Sequence, residues 1–205
     1  MNSHRLRSPG GAARHAGKKL GKATVLIVCE GDKTEPYYLA ALCRDLRLNT
    51  VHVTRSHKGS SPISVFESAI ERHKQDDGYD QIYCVFDRNG HESFVRAIQA
   101  IDGARERSRN PIQIQAIRSI PCFEYWILLH FVRTTKQFQD CSAVIAELHK
   151  YITNYEKGDE DLYHRIKDKL DTAIQNSEWV SKQQELAGTD DPTTELHVLI
   201  AQLRK

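Results

Sequence analysis

Residues 24–36, Thr24-Val25-Leu26-Ile27-Val28-Cys29-Glu30-Gly31-Asp32-Lys33-Thr34-Glu35-Pro36, decide the fold class. Residues 24–29 are a short, unbroken apolar run rich in β-branched side chains, the pattern of a parallel strand buried on both faces. The run stops at Glu30-Gly31. A capping hydroxyl, an acid and a proline follow in Thr34-Glu35-Pro36, which is a helix start. Tyr38, Leu39, Leu42 and Leu46 then recur at helical spacing.

The same alternation repeats outward from there. Residues 49–54 read as a second strand around Val51 and Val53, and residues 56–61 as a polar loop. Ser61-Pro62 opens a second helix through Val65, Phe66, Ala69 and Ile70, which Asp76-Asp77-Gly78 ends. Residues 82–86 are a third buried strand closed by Asp87. A third helix is expected over 92–107, a fourth strand over 112–117 and an apolar helix over 123–131. Strand–helix alternation with short connections predicts an α/β fold, here a four-stranded parallel sheet with flanking helices. Beyond residue 132 no strand is expected. Residues 139–150, 160–187 and 193–204 read as helices, with Asp191-Pro192-Thr193 opening the last. The resulting division is a basic arm over 1–22, an α/β core over 23–132 and a helical extension packed on it over 133–205.

The totals narrow the function classes. A chain of 205 residues buries about 70% of its unfolded surface and needs no metal or disulfide to fold. With 29 basic and 27 acidic residues, net charge selects no partner. Its distribution says more, because Arg5, Arg7, Arg14, Lys18, Lys19 and Lys22 occur before any acid. Such an arm can touch phosphates, and it reads equally as a solvated tail. No apolar run reaches the ~18 residues of a membrane span, and the basic start lacks the apolar stretch of a secretory signal. The five cysteines, Cys29, Cys43, Cys84, Cys122 and Cys141, form no C-x-x-C pair. Reduced cysteines in a cytoplasmic protein are therefore expected.

In an open parallel sheet, ligands gather beyond the carboxyl ends of the strands. Glu30 and Asp87 stand at two such ends. Were those strands neighbours, the carboxylates would converge, and at ~4 Å they would repel by about 4 kcal/mol at an effective dielectric near 20. A divalent cation between them removes that repulsion, and oxygen ligands favour Mg²⁺ or Mn²⁺. Gly31 permits a sharp turn, Lys33 and Thr34 add a cation and a hydroxyl, and Arg88 adjoins Asp87. A metal centre rimmed by cations suits a phosphodiester substrate. Acids at strand ends also serve as helix caps and loop residues, so spacing alone leaves both readings open.

Four segments occur in an order that resembles the RloB-like family: residues 28–36; Tyr83-Cys84-Val85-Phe86-Asp87-Arg88; Ser119-Ile120-Pro121-Cys122-Phe123-Glu124-Tyr125-Trp126 with Leu128, Leu129 and His130; and Tyr155-Glu156-Lys157. Pro192-Thr193-Thr194 with His197 and Leu199 resembles the family's closing element. The likeness covers roughly 24–203. It implies a TOPRIM-like core and a place among bacterial restriction and phage-defence genes. In the TOPRIM pattern a Glu and an Asp-x-Asp bind Mg²⁺ for phosphodiester chemistry. Glu30 matches the Glu and Asp87 the first Asp, but Asn89 stands where the second Asp belongs. Asn keeps an oxygen ligand and loses a charge, which weakens Mg²⁺ binding; Glu124, or secondarily Glu92, can restore it. Asn89-Gly90 is also an ordinary turn dipeptide.

The resemblance thus implies an Mg²⁺- or Mn²⁺-dependent nuclease acting on DNA or RNA, tRNA included. Glu30, Asp87 and Asn89 would hold the metal, with Glu124 assisting and His91 carrying a proton. Lys33, Thr34, Arg88, Ser119 and Lys157 would hold phosphate. The alternative is a degenerate nucleic-acid-binding or regulatory subunit. A defence partner protein such as an ATPase and a homodimer fit either reading. Other chemistries are not supported: no earlier glycine completes a phosphate loop before Lys33, no H-E-x-x-H occurs, and no Gly-x-Ser-x-Gly elbow is present. His130, on an apolar helix, reads as a core residue, and Ser119 also suits a helix cap.

Overall fold

The computed structural model describes residues 23–76, 78–106 and 113–205. The basic arm, Asp77 and residues 107–112 lie outside the described residues. Strand β1 (Val25–Cys29) is buried along its whole length, as an unbroken apolar run must be when sheet and helices cover both sides. It is followed by α1 (Thr34–Asp45), β2 (Val51–Arg55), α2 (Pro62–Gln75), β3 (Gln81–Asp87), α3 (Ser93–Glu106) and β4 (Ile114–Ile120). The strands lie in the order β2-β1-β3-β4, all parallel. Helix α2 begins where Ser61 accepts a hydrogen bond from the Ser64 amide and proline occupies the first turn.

The pleat of β1 divides the core. Val25, Ile27 and Cys29 face α1 and the C-terminal helices, among Tyr38, Leu42, Trp126 and Leu199. Leu26 and Val28 face α2 and α3, among Val65, Ala69, Phe94 and Ile101. Helices on both faces close the sheet into three layers. The apolar helix is α4 (Glu124–Leu128), whose five residues are all buried. Then come α5 (Cys141–Leu148), capped by Asp140 on the Ala143 amide, α6 (Leu162–Ile166), a short 3₁₀ turn and α7 (Leu170–Ala187). Val144, Ala173 and Val180 share the cluster that holds Ile27 and Tyr38, so the chain beyond residue 132 contributes to the central core.

Two expectations are corrected. The sheet has five strands, because β5 (Thr193–Thr194) pairs antiparallel with Ser119 and Ile120 of β4. Two threonines are too short to show a period of two, and their strand character comes from the β4 edge they cover. Asp191-Pro192 accordingly does not open the last helix; α8 (Leu196–Leu203) starts after β5. Second, Cys122 and Cys141 form a disulfide, leaving Cys29, Cys43 and Cys84 free and buried. The partners lie 19 residues apart, and only the fold of the intervening segment brings them together. Among the described residues no helix is long and apolar enough to cross a membrane.

Candidate acidic site at the strand ends

The parallel register pairs Cys29 with Val85, so β1 and β3 finish side by side. Beyond that pair the Glu30 amide donates to the Val85 carbonyl at 2.9 Å. The Asp87 amide donates to Glu30 Oε2 at 3.0 Å. The Glu30 carboxylate therefore caps the neighbouring strand. Burial raises its pKa, opposed by the Asp87 amide and by His91. His91 Nε2 lies 3.6 Å from Glu30 Oε1 and belongs to a turn in which its amide donates to the Arg88 carbonyl. Asn89 and Gly90 supply the positive φ that this turn requires. Both line an open cleft of about 470 Å³ together with Ser61, His91, Glu92 and Ser93, so His91 stands between cleft and acid.

A third acid was not singled out by the sequence. Glu35, in the first turn of α1, is buried and folds back over Gly31. A Cβ on Gly31 would fall 2.0 Å from Glu35 Oε2. Burial, then the nearby charges of Glu124 and Glu30, push the Glu35 carboxyl up to about 7, against the pull of its own amide and of Lys157. Asp87 is raised well above the ordinary carboxylate range by burial, then by Glu35, Glu124 and Glu30. Glu35 and Asp87 are thus the two acids whose ionised forms the neighbouring carboxylates make harder to hold. The available signal was the Gly31-x-x-x-Glu35 spacing, in which a side-chain-free residue sits one helical turn before a buried acid.

Glu124 is 2% exposed, at the first position of α4. Tyr155 Oη donates to its Oε1 at 3.0 Å, and Lys157 Nζ lies 3.2 Å from the same oxygen. Its Oε2 meets Cys141 Sγ at 3.0 Å, a contact without a proton, since a disulfide sulfur has none to give. The Tyr155–Gly158 loop reaches the first strand end as well. The Gly158 amide donates to Thr34 Oγ1 at 2.9 Å, and a Cβ on Gly158 would press on the Lys33 side chain at 3.0 Å. Lys33, Thr34, Glu124 and Lys157 are therefore drawn together by a loop from the C-terminal half.

The remaining candidates have other partners. Arg88 is held by Asp190 at 3.0 Å and Asp191 at 2.5 Å. Ser119 is buried, with its hydroxyl 3.1 Å from Thr194 Oγ1. Its neighbour Arg118, at the same strand end, is paired to Glu195 through its amide and guanidinium. Asn89 is exposed, its amide donating to the Pro121 carbonyl. His130 lies in the core, its Nε2 3.1 Å from Tyr38 Oη and its Nδ1 3.0 Å from the Trp126 carbonyl. Among the described residues, three ligand atoms of His, Cys, Asp or Glu lie within 4.8 Å of one another only in Cys122, Glu124 and Cys141. Glu30, Glu35 and Asp87 form no such group among the described residues.

A family model for RloB-like protein matches residues 25–203, the span that contains every element described above. The chain belongs to the RloB-like family. No curated protein and no solved structure was found to match it. Within the family's span, the segments around Glu30, Asp87, Glu124 and Lys157 are far apart in sequence and meet at one rim.

Proposed function

We propose that this RloB-like protein is an Mg²⁺- or Mn²⁺-dependent nuclease with a TOPRIM-like core that hydrolyses phosphodiester bonds of DNA or RNA in bacterial defence against phage. The observation that carries the reading is the gathering of acids at one rim of the sheet, where burial and the charges of Glu30 and Glu124 raise both Glu35 and Asp87. Buried carboxylates that raise one another's pKa gain from a cation among them. The donor set is oxygen only, which fits a hard divalent ion.

In this reading Glu30 and Asp87 hold the ion, with Asn89 at the rim, and Glu35 and Glu124 supply the charge that Asn89 lacks. The ion would polarise a phosphoryl oxygen and lower the pKa of water. Lys157, half-exposed beside Glu124, and Lys33, beside Gly158, offer positive charge to a phosphate entering from solvent. His91 faces both the cleft and Glu30, where it can take or give a proton at the leaving or attacking oxygen. Arg88 reaches a phosphate only by leaving Asp190 and Asp191.

The test is cleavage of mixed DNA and RNA by the purified chain with Mg²⁺ or Mn²⁺, against Glu30→Gln and Asp87→Ala. Cleavage that depends on the ion and is lost in both variants supports the reading; equal cleavage by all three proteins refutes it. A second reading is a regulatory or nucleic-acid-binding subunit with a degenerate site. It rests on Asn89 being an exposed turn residue in place of an acid. It predicts salt-sensitive nucleic-acid binding that chelator leaves unchanged.

A further inference from the structure

The Cys122–Cys141 disulfide joins the residue two before Glu124 to the first residue of α5. The segment it spans already has anchors. Every residue of α4 is buried. Tyr125 Oη donates to the Thr134 carbonyl at 2.6 Å, and Asp140 caps α5 at 2.9 Å. The sulfur pair instead borders the acidic centre. Cys141 Sγ is 3.0 Å from Glu124 Oε2 and 3.5 Å from Lys157 Nζ.

The two oxygens of Glu124 differ. Oε1 receives the Tyr155 hydroxyl and faces Lys157. Oε2 faces a sulfur that carries no hydrogen while the disulfide is intact. A buried carboxylate oxygen without a donor attracts a cation or a proton. Reduction changes that one contact, because the Cys141 thiol can donate to Oε2 from where the sulfur already stands.

We propose that Cys122 and Cys141 form a reversible thiol–disulfide site that sets whether Glu124 is open to a cation: open when the pair is oxidised, closed by the Cys141 thiol when it is reduced. The co-reactant is a dithiol. One of its thiolates attacks the Sγ of Cys141, the less deeply buried residue of the pair, and the sulfur–sulfur bond breaks with Cys122 leaving as a thiolate that takes up a proton. The second dithiol sulfur attacks the mixed disulfide, Cys141 leaves and is protonated, and the dithiol becomes a cyclic disulfide. Two electrons and two protons pass to the protein.

The inference rests on the acidic cluster being a divalent-cation site, and the experiment separates the two. The full chain, with and without prior treatment by dithiothreitol in its native state, is freed of reductant and alkylated in denaturant, and the labelled peptides are mapped. Thermal unfolding is then followed against Mg²⁺ concentration in both states and in Cys141→Ser and Cys141→Ala. Reduction is expected to expose two labels, at Cys122 and Cys141. It should raise the Mg²⁺ concentration needed for half the stabilisation by about ten- to a hundredfold, the effect of one hydrogen bond to a charged group. Cys141→Ser, with a hydroxyl donor and no bridge, should behave as the reduced protein. Cys141→Ala, with neither, should behave as the oxidised one. No new labels, or the same Mg²⁺ midpoint in both states, overturns the switch and leaves the cation site standing. Absence of any Mg²⁺ response in either state overturns the cation site, and the role of Glu124 in the switch with it.

Discussion

Replacing Glu35 with glutamine tests the acidic cluster without touching the strand ends. Glu35 is buried, and its carboxyl is pushed from 4.5 up to about 7, first by burial and then by Glu124 and Glu30. The folded state therefore prefers the protonated form, and the unfolded state does not. A group raised on folding contributes stability at low pH and loses it as pH rises through its unfolded and then its folded value. The loss begins near pH 4.5 and is complete above pH 7, and it amounts to about 3 kcal/mol from the free energy of each pKa unit. A glutamine side chain keeps the shape, can accept the same amide and cannot ionise. Glu35→Gln should match wild type below pH 4.5 and exceed it by up to about 3 kcal/mol above pH 7. Denaturant unfolding in chelator, repeated across that range, measures the gap. Added Mg²⁺ should stabilise wild type more than the variant, since a cation relieves the same repulsion. A gap independent of pH would refute the reasoning, because Glu35 would then be an acid without electrostatic strain.

Two further outcomes follow from the same geometry. Burial lowers the His130 pKa from 6.5 to about 4, so its contribution is full above pH 6.5 and falls by about 3 kcal/mol as pH drops toward 4. This slope opposes that of Glu35, and unfolding of Glu35→Gln with and without His130→Gln should isolate it; identical acid slopes would reject the buried neutral imidazole. Gly31→Ala would set a methyl 2.0 Å from Glu35 Oε2, so that carboxylate must leave the cluster. The variant should lose about 1–3 kcal/mol by overpacking and show weaker Mg²⁺ stabilisation in thermal unfolding. Unchanged stability and Mg²⁺ response would mean that Glu35 does not need its place over Gly31.

Much of the sheet is legible in the chain because β1 and β3 are buried on both faces and so lack polar residues until they end. Val25–Cys29 and Ile82–Phe86 announce both the strands and the points where they stop, and Glu30 and Asp87 mark the rim. What escapes is set by contacts at a distance. Thr193–Thr194 is a strand only because Ser119 and Ile120 offer an edge. Cys122 and Cys141 are a pair only because α4 and the loop after it fold back. Glu35 reads as a favourable acid at a helix start, which it is, but its burial against Gly31 and the charges of Glu124 and Lys157 around it arise only in the folded chain. Arg88 reads as a phosphate contact by adjacency to Asp87, whereas Asp190 and Asp191, about a hundred residues on, take its charge.

The C-terminal helices are thus part of the site's electrostatics as well as of its core. Without the loop after α5, Glu124 would lose Tyr155 and Lys157, and Thr34 would lose the Gly158 amide. A buried carboxylate stripped of a hydrogen-bonded cation destabilises its surroundings by several kcal/mol unless it takes a proton. Glu124 is among the charges that raise Glu35 and Asp87, so its partners bear on both. Glu35 and Asp87 are therefore tuned through Glu124, which is itself held by a segment more than sixty residues beyond Asp87. The Tyr155–Gly158 loop thus meets Glu124 and Thr34 together and links α4 to the first turn of α1.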